Sequence, residues 1–183
     1  PVITEQAAVC ALAPSLEKFW ERLMNGETAV APVTRFDTSA LQFHEAASAN
    51  VDGNGSLTTA LMKQALEQIQ RPLPAETRII WAGAKGSAEW AEAKEEGRPA
   101  PEHFLPRHYR RWIASELGLP DEEGMEVNAA CASSTVALAL AAEMIAGREC
   151  RTVLVCAADI VSRFTFFGFA ALRALTPTPG GPR

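Results

Sequence analysis

The residue best suited to chemistry in this sequence is Cys131, which stands among small residues between two apolar segments. The pattern predicts a short strand ending near Val127 and a helix from about Ser133 to Ala146. A cysteine just before the first turn of a helix lies near unpaired N–H groups and the positive end of the helix dipole, which favour the thiolate. The same N–H groups can hold an oxyanion when the sulfur attacks a carbonyl. The placement indicates a nucleophile, and the alternative is a small buried hydrophobic residue.

The predicted helix that follows the cysteine has no polar stripe. Residues 136–142 are all apolar, and four of them are alanines. A helix that is apolar all round is typical of a buried element, and alanines let neighbouring backbones approach closely. Gly147 is predicted to end this helix as its C′ residue. We therefore expect a buried helix at the centre of the fold.

The residues around Cys131 do not match three other kinds of cysteine site. A phosphatase loop needs an arginine six positions later, where Ala137 stands, and a Cys-x-x-Cys motif needs a cysteine at Ser134. A hydrolase elbow needs glycine two residues before and after the nucleophile, where Ala129 and Ser133 stand. A cysteine hydrolase is also disfavoured because no nearby histidine or acid can be assigned as the base.

The length and composition predict one globular domain over residues 1–183, since 48% of the residues are apolar. A net charge of −5 argues against nucleic acid and against anionic membranes as partners. The apolar runs are too short or too polar to span a bilayer, and the first residues lack the basic region of a leader. The four cysteines show no metal or disulfide spacing. We expect free thiols, no metal and a cytoplasmic location.

Blocks along the whole chain resemble the β-ketoacyl synthases of the thiolase superfamily. Residues 127–138 are similar to their nucleophile motif, 152–159 to the next core strand, and 167–177 to a Gly-Phe…Ala-Leu-Ser-Pro segment. Three N-terminal blocks are similar to the opening strand, the first helix and the loop after it: residues 2–4, 15–26 and 34–38. The blocks occur in the family's order, so together they identify a ketosynthase.

The resemblance implies an α/β fold, the N-terminal half of a thiolase-like α-β-α-β-α sandwich with a mixed, mostly parallel sheet covered by helices. It also implies that the C-terminal half is absent from this sequence. One half alone would expose a large apolar face, which requires a partner. Three arrangements stay open: a fragment of a longer enzyme, a half completed by a second polypeptide, or a stand-alone half that binds without condensing.

The resemblance also assigns roles to residues. It implies that Cys131 accepts an acyl group from an acyl-carrier-protein or CoA thioester, for condensation with a malonyl thioester after loss of carbon dioxide. The N–H of Cys131 would form part of the oxyanion hole, and Ala130, Ala132 and Phe169 would contact the substrate. No cofactor is implied. The pathway would be of the fatty-acid or polyketide type.

Two histidines support the condensation step in the family, and both follow the segment matching residues 175–177. His44, His103 and His108 precede Cys131 and match neither, so we expect structural or surface roles for them. The alternative to an enzyme is a non-catalytic subunit that pairs with a ketosynthase chain, as a chain-length factor does. In either case a homodimer or a heterodimer is expected.

The only basic cluster lies between residues 103 and 111. Arg107, Arg110 and Arg111 are suited to the acidic surface of a carrier protein. The favoured alternative is the solvated face of a helix from Pro106 to Leu117. Two further predictions are structural. Trp20 lies on the apolar face of a helix opened by Ser15 and is expected in the core, and residues 151–158 are expected to form a strand covered on both faces.

Overall fold

The computed structural model describes residues 1–51, 56–83, 88–97, 105–121 and 124–177. The chain divides into two compact units, one of Pro1–Glu5 with Gln70–Asp159 and the other of Gln6–Ile69 with Ile160–Arg183. The prediction of a single domain over the whole chain stays a prediction. The elements, in chain order, are α1 (Leu16–Met24), β1 (Ala31–Pro32), β2 (Glu45–Ala46), α2 (Leu57–Leu66), β3 (Arg78–Ala82), α3 (Ala88–Glu95), α4 (Arg107–Leu117), β4 (Met125–Val127), a 3₁₀ turn (Ala130–Ala132), α5 (Ser133–Ala146), β5 (Val153–Ala157) and α6 (Arg163–Ala171).

The first unit is built on a parallel sheet in the order β4-β3-β5. Strand β3 is central because its apolar side chains are buried on both faces, with Ile79, Ile80 and Trp81 each at most 1% exposed. It pairs with β4 over three residue pairs and with β5 over five. Parallel strands are joined by crossovers, and the helices between these strands serve as the crossovers here.

Helix α5 covers one face of this sheet. Side chains alternate between faces along a strand, so Ile80, Ala82 and Val127 point to the same side. They form a core cluster with the buried face of α5, which contributes Ala137 and Met144. Burying this alanine-rich face brings the helix close to the strands that precede and follow the predicted nucleophile.

Helix α4 covers the opposite face. Trp81 packs against Tyr109 with ring centroids 4.8 Å apart, and Ile113 of the same helix is fully buried. The unit is therefore a helix–sheet–helix sandwich, which confirms the predicted α/β class. α4 ends where Gly118 takes a left-handed conformation (φ 62°), as a C-terminal glycine commonly does.

Helix α5 has the predicted bounds but not the predicted burial. Ala137 and Ala141 are buried, whereas Val136 is 37% and Leu138 is 49% exposed. The expectation of a fully buried helix is wrong for the described structure, because the sheet covers only one side of α5. The helix ends at the predicted point, but Gly147 is its C-cap, with an α-helical φ of −74°, and not the predicted C′ residue. Arg148, the next residue, takes the left-handed conformation (φ 60°).

Residues 151–158 also differ from expectation. Strand β5 forms within them at one edge of the three-stranded sheet, and four of its five residues are not buried. The apolar run correctly predicts a strand. The apolar run does not indicate whether that strand lies at the centre or at an edge of the sheet.

The second unit contains α1, α2, α6 and the antiparallel pair β1–β2. The three helices begin at serine N-caps, whose hydroxyl oxygens accept backbone N–H groups three residues later. These caps are Ser15, Ser56 and Ser162. Trp20 is 62% exposed and no residue of α1 is buried, so the prediction that Trp20 lies in the core is wrong.

The aromatic residues of α6 have different environments. Phe166 is buried and packs against Phe36 with ring centroids 5.6 Å apart, while Phe164 is 68% and Phe169 is 42% exposed. Helix α6 therefore uses one face for the core of its unit and presents aromatic side chains on the other. Among the described helices, none combines the length and apolar character needed to cross a bilayer.

Candidate active site

Cys131 lies in the turn that joins β4 to α5, as the sequence predicts. It is the middle residue of the 3₁₀ turn Ala130–Ala132, and its side chain is exposed. Helix α5 begins two residues later at Ser133. The first N–H groups of an α-helix have no partner within the helix, so a thiol at this position lies close to hydrogen-bond donors. The alternative interpretation, a small buried hydrophobic residue, is wrong.

The turn bends sharply at the residue before the cysteine. Ala130 has a φ of 49°, in the left-handed region that side-chain-bearing residues seldom occupy. Its N–H donates to Oδ1 of Asn128 over 3.3 Å, and the N–H of Ala132 donates to the carbonyl of Ala129 over 3.0 Å. These bonds reverse the chain within four residues and present Cys131 at the surface.

Ser133 closes the turn from the helix side. Its side chain is nearly buried (5% exposed), and its hydroxyl donates to the carbonyl of Ala130 over 2.7 Å. The same oxygen accepts the N–H of Ala129 over 3.0 Å, and the backbone N–H of Ser133 also donates to the carbonyl of Ala130. One serine therefore holds both residues that precede Cys131.

No role for Ser133 was predicted from the sequence. Its position two residues after the cysteine served only as evidence against a hydrolase elbow. The signal that pointed to it is its place as the first of three polar residues that begin α5, because serine at a helix start readily bonds to nearby backbone. The local hydrogen bonds were therefore within reach of sequence reasoning.

The other cysteines lie in different surroundings. Cys156 on β5 is buried, and burial raises the pKa of its thiol to about 12, which keeps it protonated and unreactive at neutral pH. Cys10 and Cys150 are half-buried. Cys131 is the exposed cysteine of the four, and this selects it as the candidate nucleophile. Within the described residues, no group of three metal-ligating side chains occurs.

The predicted substrate-binding residues fall in both units. Ala130 and Ala132 flank Cys131 and are exposed, so a substrate at the sulfur would meet only small side chains there. Phe169 belongs to α6 of the second unit and is partly exposed. Contact of these residues with an acyl group stays a prediction.

The described histidines have structural contacts. Nδ1 of His44 lies 3.1 Å from the Thr38 hydroxyl, and the His108 ring lies edge-on to Tyr109 at 5.8 Å between centroids. His103 lies outside the described residues. The described contacts agree with the expected structural roles and leave the two family histidines unassigned.

The basic cluster is not a uniform surface. Arg110 is 8% exposed, and its guanidinium donates to Glu126 Oε1 over 2.7 Å and to the carboxylate and carbonyl of Asp121. It is therefore unavailable to a carrier protein, and its assignment to a solvated helix face is wrong as well. Arg107 and Arg111 are exposed, as predicted.

Comparisons with known proteins place this turn in a recognised segment. Residues 125–168, from β4 to within α6, match the family model of 3-oxoacyl-[acyl-carrier-protein (ACP)] synthase III. No curated protein sequence matches the chain.

Solved structures match the fold over nearly the whole chain. The ishigamide ketosynthase/chain length factor matches with a TM-score of 0.79 and 21% identity, over 97% of this chain and 51% of that one. A beta-ketoacyl synthase from Burkholderia phymatum STM815 matches with a TM-score of 0.69 and 19% identity, over 96% of this chain and 50% of the other. The chain spans about half the length of these structures. The ketosynthase resemblance is confirmed in fold over the chain and in sequence over residues 125–168.

Proposed function

We propose that this ketosynthase-like chain is part of a β-ketoacyl-acyl-carrier-protein synthase and that Cys131 is its acyl-accepting nucleophile. The observation that carries the proposal is the exposed thiol of Cys131 in the turn between β4 and α5, inside the segment that matches the synthase III model. Cys156 is a poor alternative because its buried thiol stays protonated. The substrate class is an acyl thioester of a carrier protein or of CoA.

The first step is acyl transfer to sulfur. The thiolate of Cys131 attacks the thioester carbonyl carbon, a carbon–sulfur bond forms, and the carbonyl electron pair moves onto oxygen. The N–H of Cys131 itself would form part of the oxyanion hole that stabilises this charge. When the intermediate collapses, the bond to the carrier sulfur breaks. The released thiolate takes up a proton, which leaves an acyl-enzyme.

The second step is condensation. A malonyl thioester loses carbon dioxide, and the electron pair of the broken bond attacks the acyl carbon on Cys131. The carbon–sulfur bond then breaks and the cysteine thiolate returns. The histidines that assist this step in ketosynthases are not among the described residues, so we assign condensation to an assembly with further ketosynthase sequence. The exposed apolar side chains of α5, Val136 and Leu138, support such a partner.

Acylation tests the proposal directly. The protein is incubated with an acyl-CoA or acyl-carrier-protein thioester and digested, and the peptide that contains Cys131 is measured by mass spectrometry. We expect the mass of one acyl group on Cys131 and none on Cys156. The matched controls are Cys131→Ser, which should give no adduct, and Cys156→Ala, which should behave as the original protein. A folded protein that stays unmodified at Cys131 would refute the nucleophile.

A second candidate is a non-catalytic subunit that pairs with a ketosynthase. The observation in its favour is the match in fold to the ishigamide ketosynthase/chain length factor. Such a subunit would need the apolar face of α5 but not the thiol. To separate the two candidate functions, the chain is mixed with a ketosynthase subunit, and condensation is compared between Cys131→Ala and the original protein. If the alanine variant supports full condensation in the complex, the non-catalytic role holds.

A further inference from the structure

We infer that Ser133 is a positioning residue for Cys131, an inference that rests on the proposed function. Its hydroxyl lies between the two residues that precede the cysteine, accepting from Ala129 N–H (3.0 Å) and donating to the Ala130 carbonyl (2.7 Å). The side chain is 5% exposed, so it acts through the backbone of the turn and not on the substrate.

The turn needs these hydrogen bonds from Ser133 because Ala130 is in a strained conformation. A left-handed φ of 49° crowds the Cβ of an L-residue against the preceding peptide group, and glycine usually fills such positions. Strained residues persist where surrounding bonds over-determine them. The carbonyl of Ala130 receives two donors from Ser133, its hydroxyl and its backbone N–H, and these hold it in place.

The consequence for Cys131 is geometric. The cysteine is joined to Ala130 on one side and lies two residues before Ser133 on the other, so both ends of its short segment are fixed. A sulfur displaced by about 1 Å from the attacking position can lose on the order of a hundredfold in rate. The Ser133 hydroxyl would therefore set the rate of acyl transfer without contributing to substrate affinity.

The experiment measures acylation of Cys131 at increasing acyl-CoA concentration in Ser133→Ala. We expect the maximal rate constant to fall about tenfold or more, with the half-saturating concentration unchanged, because the hydroxyl does not touch substrate. Adding Ala130→Gly should recover most of the lost rate, since glycine adopts the left-handed conformation without the Ser133 hydrogen bonds. The matched control is Thr77→Val, which removes another buried hydroxyl of the same unit, one that bonds to the Pro74 carbonyl. It should leave the rate constant unchanged.

Wild-type kinetics in Ser133→Ala, or a loss that Ala130→Gly does not recover, would overturn the inference. Should Ser133→Ala fail to fold, Ala130→Val replaces it, because a β-branched residue resists a positive φ and should reproduce the loss with Ser133 intact. Unchanged acylation in Ala130→Val would then be the contrary result.

Amide hydrogen exchange at Ala129 and Ala132 separates this inference from the proposed function, since it needs no thioester. The Ala129 N–H donates to the Ser133 hydroxyl and the Ala132 N–H donates to the Ala129 carbonyl, so both amides should exchange faster in Ser133→Ala, even if the original protein were not acylated by acyl-CoA. In that outcome the proposed function fails and the role of Ser133 in holding the turn stands. Unchanged exchange at both amides in Ser133→Ala would count against the inference.

Discussion

Arg110 Nε donates to Oε1 of Glu126 over 2.7 Å, and this bond ties helix α4 to the strand that leads to Cys131. Arg110 is nearly buried, while Glu126 and Asp121 keep about a third of their side-chain area exposed. A buried cation with two carboxylates is a costly arrangement unless all partners are present. Its presence beside β4 makes it part of the support for the candidate site.

Arg110→Met should therefore lower the free energy of unfolding by about 2 kcal/mol, since it removes charge-assisted hydrogen bonds from a mostly buried group. Urea unfolding followed by circular dichroism measures the change. Arg111→Met is the matched control, because Arg111 bonds to Asp121 with a side chain that is 63% exposed. It should alter stability by less than about 0.5 kcal/mol, and equal losses in the two variants would contradict the prediction.

Gly124→Ala should destabilise the protein by about 1–3 kcal/mol. A Cβ at this position would lie 2.7 Å from Cδ of Arg110 and 2.8 Å from the backbone carbonyl oxygen of Ile79, and the backbone cannot move aside easily. Gly168→Ala provides the opposite case, because no atom lies within 4 Å of its Cβ and it stands inside α6. That variant should be more stable by about 0.5–1 kcal/mol, since alanine favours helix over glycine. Thermal melting of both variants measures the two changes in stability. A change of the same sign in both variants would contradict the prediction.

Cys156 should make stability fall at alkaline pH. Burial raises the pKa of its thiol from 9.0 to about 12, so the folded state keeps a proton that the unfolded state releases above pH 9. Its contribution is fully present below pH 9 and is lost as pH rises towards 12, at roughly 1.4 kcal/mol per pH unit. Unfolding free energies at pH 8 and pH 10, compared between the original protein and Cys156→Ala, isolate this slope from other titrating groups. Parallel pH dependences in the two proteins would rule it out.

Leu138→Gln should reduce self-association of the isolated chain and change its stability by less than about 0.5 kcal/mol. Leu138 is 49% exposed on the outer side of α5, so the substitution removes apolar surface without opening the core. Sedimentation velocity and urea unfolding measure the two effects. Ala137→Gln, one residue earlier at a fully buried position, should instead destabilise strongly. Unchanged association in Leu138→Gln would show that this face does not make the contacts.

The course of the chain around Cys131 was predictable because its signals are local. The apolar strand, the run of small residues and the long alanine-rich segment mark β4, the turn and α5, and α5 has the expected bounds. The serine N-cap Ser15 is likewise a short-range feature. The ketosynthase resemblance then supplied the sandwich fold to which these pieces belong.

Burial and charge pairing were less accessible because they depend on distant parts of the chain. The apolar stripe of α1 indicates which helix face would pack against another element, but it does not indicate whether such an element is present. Trp20 on this face is exposed. Arg110 pairs with carboxylates 11 and 16 residues away, on a turn and a strand, which no helical spacing could indicate. In both cases the missing information lies in tertiary contacts, which the local sequence does not specify.

The two ladders of the central sheet differ in length, with three residue pairs joining β3 to β4 and five joining β3 to β5. Amide hydrogens of the shorter ladder should exchange with solvent sooner, because fewer bonds must break together for it to open. The segment that carries Cys131 thus follows the strand whose ladder opens more easily. Its preorganisation depends on side-chain anchors more than on the strand itself.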